Sequence, residues 1–446
     1  MRRVRWQPRP APPIAVTTAD TAFADAPPLA EHPVVRELRM VTLDGVPTVV
    51  QVTRPDAPGR FPVMVFGHGA GTGNHVAFDE HTEILARRGV IGLVGDKDLA
   101  AYTTIRRDYG HMARQYADLA RWGRRQEWAL PGRVGYYGES EGAWVAPWAA
   151  SLSGADFVAL VSAPVVTARE QGLYAIGSYM TAVGAPAAMF DAGMRLAGAT
   201  MPRGWFEYLD FDSTRYLPGL ECPVLVAYGA ADISMPIVQG AQRVMAEVAG
   251  PVAVRYYASA DHGLRRGPDK HVSRTFLNDL AGWVRCLTPS PAVAGAEPDQ
   301  PFAAIPPPDS GVIATDGYIG VAALAALAAA GLGAKAASPR LRWPLALLRA
   351  GTVVTVVAHL RYMQLLFQLA ASYRTDPVAV RIGHRMVRAL GLATVAAGGI
   401  AAFRVRESRS RRAVAGAAAG LGGAAVLLSL ISRWGAFGPP PPPPAR

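Results

Sequence analysis

The sequence predicts an α/β fold, a mostly parallel sheet with helices on both faces, followed by an α-helical transmembrane bundle. Three observations predict it. From about Pro33 to Cys286, short and continuously apolar strands alternate with helical segments, the pattern a parallel sheet covered on both faces requires. Beyond residue 316 lie apolar stretches too long for an ordinary soluble domain. The charge divides in the same way. From Lys335 onward sixteen Lys and Arg face only Asp376 and Glu407, so of the net +11 that quarter carries +14 and residues 1–334 carry −3. A chain of 446 residues also exceeds the size at which one hydrophobic core stops growing, so at least two folding units are expected.

Residues 1–32 read as a disordered arm. Met1-Arg2-Arg3-Val4-Arg5-Trp6 has the charged lead of an export signal, but the Pro-rich continuation has no apolar core. The expectation is therefore either no cleavable signal or an apolar segment upstream of this start. Val34 to Val41 and Thr48 to Val52 flank Leu43-Asp44-Gly45, a hairpin signal. The alternation follows: strand Pro62 to Gly67, helix Glu80 to Arg88, strand Val90 to Val94, helix Tyr109 to Trp128, strand Arg133 to Tyr137, helix Glu141 to Ala150 and strand Phe157 to Ser162. After an insert at about 168–218 come strand Val224 to Tyr228, helix Ile237 to Val248, strand Val252 to Tyr257 and a closing helix, Val272 to Cys286.

Residues 287–316 are Pro-rich and poor in large apolar side chains, which predicts a linker. Residues 317–434 hold Gly317 to Ala334, Gly351 to Tyr373, Ala389 to Phe403 and Ala413 to Ser432, read as about four membrane helices. The third falls short of the roughly 20 residues a span needs. Gly416 and Gly420 supply small-residue spacing for close helix packing, and His359 and Arg361 are expected to face the bundle interior or to be raised by a shift of the helix. Residues 435–446 are a Pro-rich tail.

The basic residues punctuate apolar stretches instead of forming a stripe on a soluble face, so a lipid bilayer is the expected partner and nucleic acid is discarded. Cys222 and Cys286 are the only cysteines, with no CxxC or His-rich spacing, so neither a metal nor a cofactor is predicted. Pairing of the two is possible in an oxidising compartment, while a buried free thiol at Cys222 is the plainer expectation.

The residues that carry chemistry begin with Gly138-Glu139-Ser140-Glu141-Gly142. A serine hydroxyl needs a base to become nucleophilic, and a sharp turn between strand and helix, with glycines on both sides, exposes it to one. His68-Gly69-Ala70-Gly71, after the strand ending at Gly67, is placed to offer the Ala70 N–H, with that of Glu141, to a developing oxyanion. His68 itself reads as structural, and His75, His81 and His111 as surface or loop residues. His262, after the last strand, is the candidate base, and Asp232, after the strand ending at Tyr228, is the acid that would orient it. Asp261 competes, but a neighbour in sequence rarely points at the adjacent ring.

On these motifs, together with Ala143-Trp144-Val145-Ala146-Pro147 and Val161-Ser162-Ala163-Pro164, residues 61–286 resemble the α/β-hydrolase superfamily, closest to its dienelactone-hydrolase and prolyl-oligopeptidase-like serine hydrolases. The resemblance implies a helical lid over Ser140 at about 168–218, rich here in Tyr174, Tyr179, Met180, Trp205, Phe206 and Tyr208. That composition suits a hydrophobic acyl substrate and equally suits the packing of any helical cap. Many relatives carry Asp-Lys-Arg-Gly after the fourth strand, where this chain has Asp96-Lys97-Asp98-Leu99, a departure that bears on the local pocket.

The expected activity is hydrolysis of small-molecule carboxyl esters through an acyl-enzyme, with a peptidase or amidase as the alternative on the same triad. A non-catalytic membrane binding or regulatory protein on a hydrolase scaffold is the alternative from another class. Location in a cell membrane is expected, multi-pass. Positive-inside counting over Lys335 to Arg349, Arg374 to Arg388 and Arg404 to Arg412 places the hydrolase domain outside the cytoplasm.

Overall fold

The computed structural model describes residues 31–71, 73–182, 206–267, 269–287, 293–300, 303–306, 324, 339–371, 376–408, 410–433 and 436–437. Two compact units divide the chain: residues 1–174 with 203–305, and residues 175–202 with 306–446.

The first unit begins with β1 (Val34–Leu43) and β2 (Val46–Pro55), joined at Asp44 and Gly45. Both turn residues have positive φ, 45° and 80°, which matches the twist of the two strands and closes a two-residue hairpin. Strand β3 (Phe61–Gly67), α1 (Asp79–Arg87), β4 (Ile91–Gly95), α2 (Tyr109–Arg124), β5 (Ala129–Glu139), α3 (Gly142–Ser153) and β6 (Val158–Val161) follow. Then come α4 (Ala168–Ala182), β7 (Val224–Gly229), α5 (Ile237–Glu247), β8 (Val252–Tyr257), the short pair β9 (Arg265–Arg266) and β10 (His271–Val272), α6 (Arg274–Cys286) and β11 (Val293–Ala294). Of the insert at 168–218, α4 and a 3₁₀ segment at Thr214–Gly219 are described, and 183–205 lie outside the described residues.

The main sheet runs β1-β2-β4-β3-β5-β6-β7-β8-β11. The β1–β2 and β2–β4 pairs are antiparallel, and from β4 onward every pair is parallel. This is an α/β-hydrolase sheet. Strands β3 and β5 lie side by side, although the chain visits β4 between them, so the winding direction reverses there. A crevice opens at such a reversal, outside the carboxyl ends of the strands. His68 follows one of these ends and Ser140 the other.

Alternate residues of the central strands fill one layer: Met64, Phe66, Tyr137, Ala159, Val161, Leu225 and Ala227 meet Leu85 of α1 and Phe276, Leu280 and Trp283 of α6. Because side chains alternate across a strand, the intervening Val63, Val65, Tyr136, Leu160 and Val226 face the other way, and they are buried too. Helices α2 and α3 pack on each other in the cover of that second face. Cys222 and Cys286 are free thiols, and burial pushes that of Cys222 up to about 11.

The Pro-rich stretch expected to be a linker begins as part of this unit. Val293 and Ala294 add a strand beside β8, and the Gln300 carboxamide oxygen accepts the Val238 and Gln239 N–H groups at 2.9 and 3.1 Å. These are amide groups that the start of helix α5 leaves without an internal partner.

The second unit contains α7 (Pro339–Ala371), α8 (Pro377–Val405) and α9 (Arg411–Arg433). Among the described residues three segments are, by length and composition, able to cross a membrane, Leu341–Leu366, Pro377–Val405 and Arg411–Ser432, with mean hydropathies of 1.4, 1.6 and 2.0. The marginal stretch Ala389 to Phe403 is thus the latter half of a 29-residue helix, because the preceding residues, which include Arg381, Arg385 and Arg388, continue it. The first expected stretch, 317–334, lies outside the described residues except Leu324.

His359 is fully buried, whereas Arg361 is exposed and donates to Gln364 Oε1 at 2.8 Å. Of the two arrangements expected, the one in which both face the interior holds for His359 and not for Arg361, because residues two apart on a helix lie about 200° apart around the axis. A Cβ on Gly420 would stand 3.6 Å from Leu345 Cδ2, an ordinary packing distance. A Cβ on Gly351 would stand 2.6 Å from Thr394 Oγ1 and one on Gly383 2.7 Å from the Tyr362 ring, so α7 and α8 approach closely at both glycines.

Candidate active site

Ser140 terminates β5 with φ of 55°, a left-handed conformation that non-glycine residues adopt at a cost. The flanking glycines allow it. A Cβ on Gly138 would lie 2.6 Å from the Gly142 carbonyl oxygen, and one on Gly142 would collide with that of Gly67. The Ser140 N–H donates to the Val161 carbonyl at 2.8 Å, anchoring the turn to the end of β6.

His262 follows β8, and its Nδ1 is 2.9 Å from Asp232 Oδ2. An ionised carboxylate only accepts, so Nδ1 carries the proton and Nε2 keeps its lone pair. The other Asp232 oxygen accepts the Ser234 N–H at 2.9 Å and its hydroxyl at 2.6 Å. Burial alone would raise the Asp232 carboxyl, but the charge and hydrogen bond of His262 and the two bonds from Ser234 hold it below the ordinary aspartate value. For His262 burial works downward and is outweighed by Asp232 and then Glu139, so the imidazole is more basic than usual. Asp261, the competing acid, pairs instead with Lys270. The Gly263 N–H donates to Ser162 Oγ at 3.0 Å, which ties the His262 loop to the strand end that also holds Ser140.

Two buried glutamates flank the serine, and they bind separate sets of partners. Glu139 accepts from Arg265 Nη1 at 3.0 Å and from the Tyr137 hydroxyl at 3.1 Å. Burial would raise its carboxyl, yet the Arg265 guanidinium foremost holds it below the usual glutamate value. His81 Nε2 is 3.8 Å away, but burial pushes that imidazole down to about 4, so it is neutral near pH 7 and Arg265 is the counterion. His81 is accordingly a buried residue of α1, correcting its expected place at the surface. Glu141 accepts from Lys97 Nζ at 3.1 Å, Arg107 Nη1 at 2.5 Å, the Tyr102 hydroxyl at 2.8 Å and the Tyr109 hydroxyl at 2.9 Å.

Ala70 follows β3 on the exposed rim, and a Cβ on its neighbour Gly69 would stand 3.5 Å from Ser140 Cβ. His68 is buried and structural, with Nε2 2.7 Å from the Gly95 carbonyl. Among the described residues no group of three or more His, Cys, Asp or Glu is arranged to hold a metal.

No family model matches this chain, and no curated protein matches its sequence. Among solved structures it is similar to a 2,6-dihydroxy-pseudo-oxynicotine hydrolase, at 17% identity over 60% of this chain and 72% of that one, TM-score 0.43. An esterase from Pyrobaculum calidifontis is 18% identical over 59% and 88% of the two chains, TM-score 0.43. A dienelactone hydrolase from Anabaena variabilis is 17% identical over 58% and 100%, TM-score 0.37.

Sequence reasoning passed over Glu139, Arg265, Arg107 and the role of Lys97. The departure at Asp96-Lys97-Asp98 is a structural hub: Asp96 accepts from the His75 backbone at 2.8 Å, Lys97 pairs with Glu141, and Asp98 lies 2.9 Å from His111 Nε2. Two signals were available. Only Lys97, Lys270 and Lys335 are lysines among 45 basic residues, and Glu141 opens an otherwise apolar helix, where a buried carboxylate demands a cation.

Proposed function

We propose that the protein is a membrane-anchored serine hydrolase that cleaves carboxyl esters through an acyl-enzyme. The observation that carries this reading is Ser140, held at φ 55° beyond β5, with a histidine and aspartate bonded at 2.9 Å in the loops after β8 and β7. His262 Nε2 takes the Ser140 proton as Oγ attacks the ester carbonyl. The tetrahedral oxyanion is met by the Ala70 and Glu141 N–H groups, and Asp232 stabilises the imidazolium. The imidazolium then protonates the leaving alcohol. Water, deprotonated by the same His262, releases the acid.

Anchoring rests on the three long apolar helices. The Arg-rich junction between α8 and α9 belongs on the cytoplasmic side, and the start of α7, two spans earlier, shares that side. If 317–334 also crosses, the hydrolase unit lies outside the cytoplasm, and this is the arrangement we favour.

A fluorophosphonate probe on the full chain in detergent tests the chemistry. Labelling of the folded wild type that vanishes in Ser140→Ala is expected, and an unlabelled, folded wild type would overturn the enzyme reading. Turnover of an ester but not the matching anilide separates esterase from amidase.

A further inference from the structure

Lys97 uses all three of its ammonium donors at one place. Its Nζ lies 3.0 Å from the Gly69 carbonyl, 3.0 Å from the Gly71 carbonyl and 3.1 Å from Glu141 Oε2. Both ion-pair side chains are only 2% exposed. A lone buried charge is costly, and this one is matched by a carboxylate and two carbonyl dipoles.

The direction of these bonds matters more than their number. In a trans peptide the C=O and the following N–H point in opposite directions. Fixing the Gly69 oxygen on Lys97 therefore turns the Ala70 N–H away from the lysine. The same rule acts at Glu141. The Ser140 carbonyl accepts the Ala143 N–H at 2.9 Å, inside the first turn of α3, so the Glu141 N–H points outward from the helix start. Tyr102 braces the assembly from both ends: its hydroxyl accepts the Gly71 N–H at 3.0 Å and donates to Glu141 Oε2. Its ring also lies under the Lys97 ammonium, 3.5 Å from the centroid.

We propose that the buried Lys97–Glu141 ion pair is the positioning device of the oxyanion hole, locking the loop that presents the Ala70 N–H to the residue that presents the second N–H. The inference rests on the hydrolase reading given above and assigns a function to the Asp96-Lys97-Asp98 departure. Lys97 touches no reacting atom in this scheme. Its effect is confined to the alignment of two donors whose worth appears only when charge develops on the substrate oxygen.

The test uses full-length protein in detergent with a p-nitrophenyl ester, a fluorophosphonate and a trifluoromethyl ketone that forms a tetrahedral adduct on a serine. For Lys97→Met with an unchanged thermal midpoint, kcat should fall ~100-fold, as for loss of one oxyanion donor, with KM within about threefold. Affinity for the ketone should weaken in proportion to kcat/KM, and Lys97→Arg, which keeps a cation and several donors, should recover most of the loss. A folded Lys97→Met with wild-type kcat would refute the proposal, as would a loss shared by KM while ketone affinity stays constant. If Lys97→Met does not fold, Glu141→Gln takes its place, with the same fall in kcat expected, since it retains both backbone donors while losing the charge and one of the two acceptor oxygens. Failure of both to fold would make the pair a folding element and refute the proposal. A wild type left unlabelled at Ser140 would instead defeat the hydrolase reading itself, which separates the two failures.

Discussion

The two units turn opposite faces to their surroundings. In the sheet unit the apolar residues are inside, and of its buried charged side chains Lys97, Glu139, Glu141 and Asp232 belong to the surroundings of Ser140, while Arg255 and Asp279 are buried elsewhere. In the helical unit Val353, Val357, Leu360, Ile382, Met386, Leu392, Val395 and Phe403 are exposed, while Thr352, Thr355, His359, His384 and Thr394 are buried. The Thr355 and Thr394 hydroxyls lie 3.1 Å apart, linking α7 to α8. Helices that are apolar outside and carry polar groups at their contacts match the pattern a hydrocarbon solvent favours. Buried polar groups thus gather around Ser140 in one unit and link helices in the other.

The largest expected effect is confined to the first unit. Ser140→Ala should cut ester turnover by ~10⁶-fold, leaving detergent extraction of the protein unchanged. Asp232→Asn should cost ~10⁴-fold by stabilising the wrong tautomer of His262. In the wild type the basic His262 must lose its proton to act, so kcat/KM should rise with pH along a limb above the ordinary histidine value of 6.5. Asp232→Asn removes the charge that raises this value, and the limb should move to lower pH.

One substitution type separates the units directly. Met40→Asp on β1 and Val395→Asp in α8 replace residues of similar exposure, 68% and 57%. The first should change stability by no more than about 0.5 kcal/mol in urea unfolding. The second puts a carboxylate near the middle of a span and should cost ~3 kcal/mol in an insertion assay. Equal effects would erase the contrast drawn here. The smallest effect expected is that of Thr355→Val, about 0.6 kcal/mol in a double-mutant cycle with Thr394→Val.

What could be read from sequence follows the same division between local and distant information. Strands such as Val224 to Tyr228, the Asp44-Gly45 turn and the chain order of Ser140, Asp232 and His262 are written in a few adjacent residues or in their sequence. Lys97 and Glu141 are 44 residues apart and Glu139 and Arg265 are 126 apart, and no local pattern pairs them. His81 sits on a helix whose charged neighbours suggest exposure, yet its own position turns toward Phe66 and Tyr137. Polar groups recruited from remote segments are what a motif leaves out.

The left-handed backbone at Ser140 has a practical consequence. Any side chain at this position holds the turn against its own preference, and glycine alone takes φ of 55° without penalty. Ser140→Gly should thus give an inert protein that melts at a higher temperature than its parent, by the order of 1 kcal/mol. Such a variant would retain the Gly69–Gly71 loop, the charged walls and the imidazole while lacking the means to consume what it binds. It is a natural bait for capturing whatever substrate the site takes.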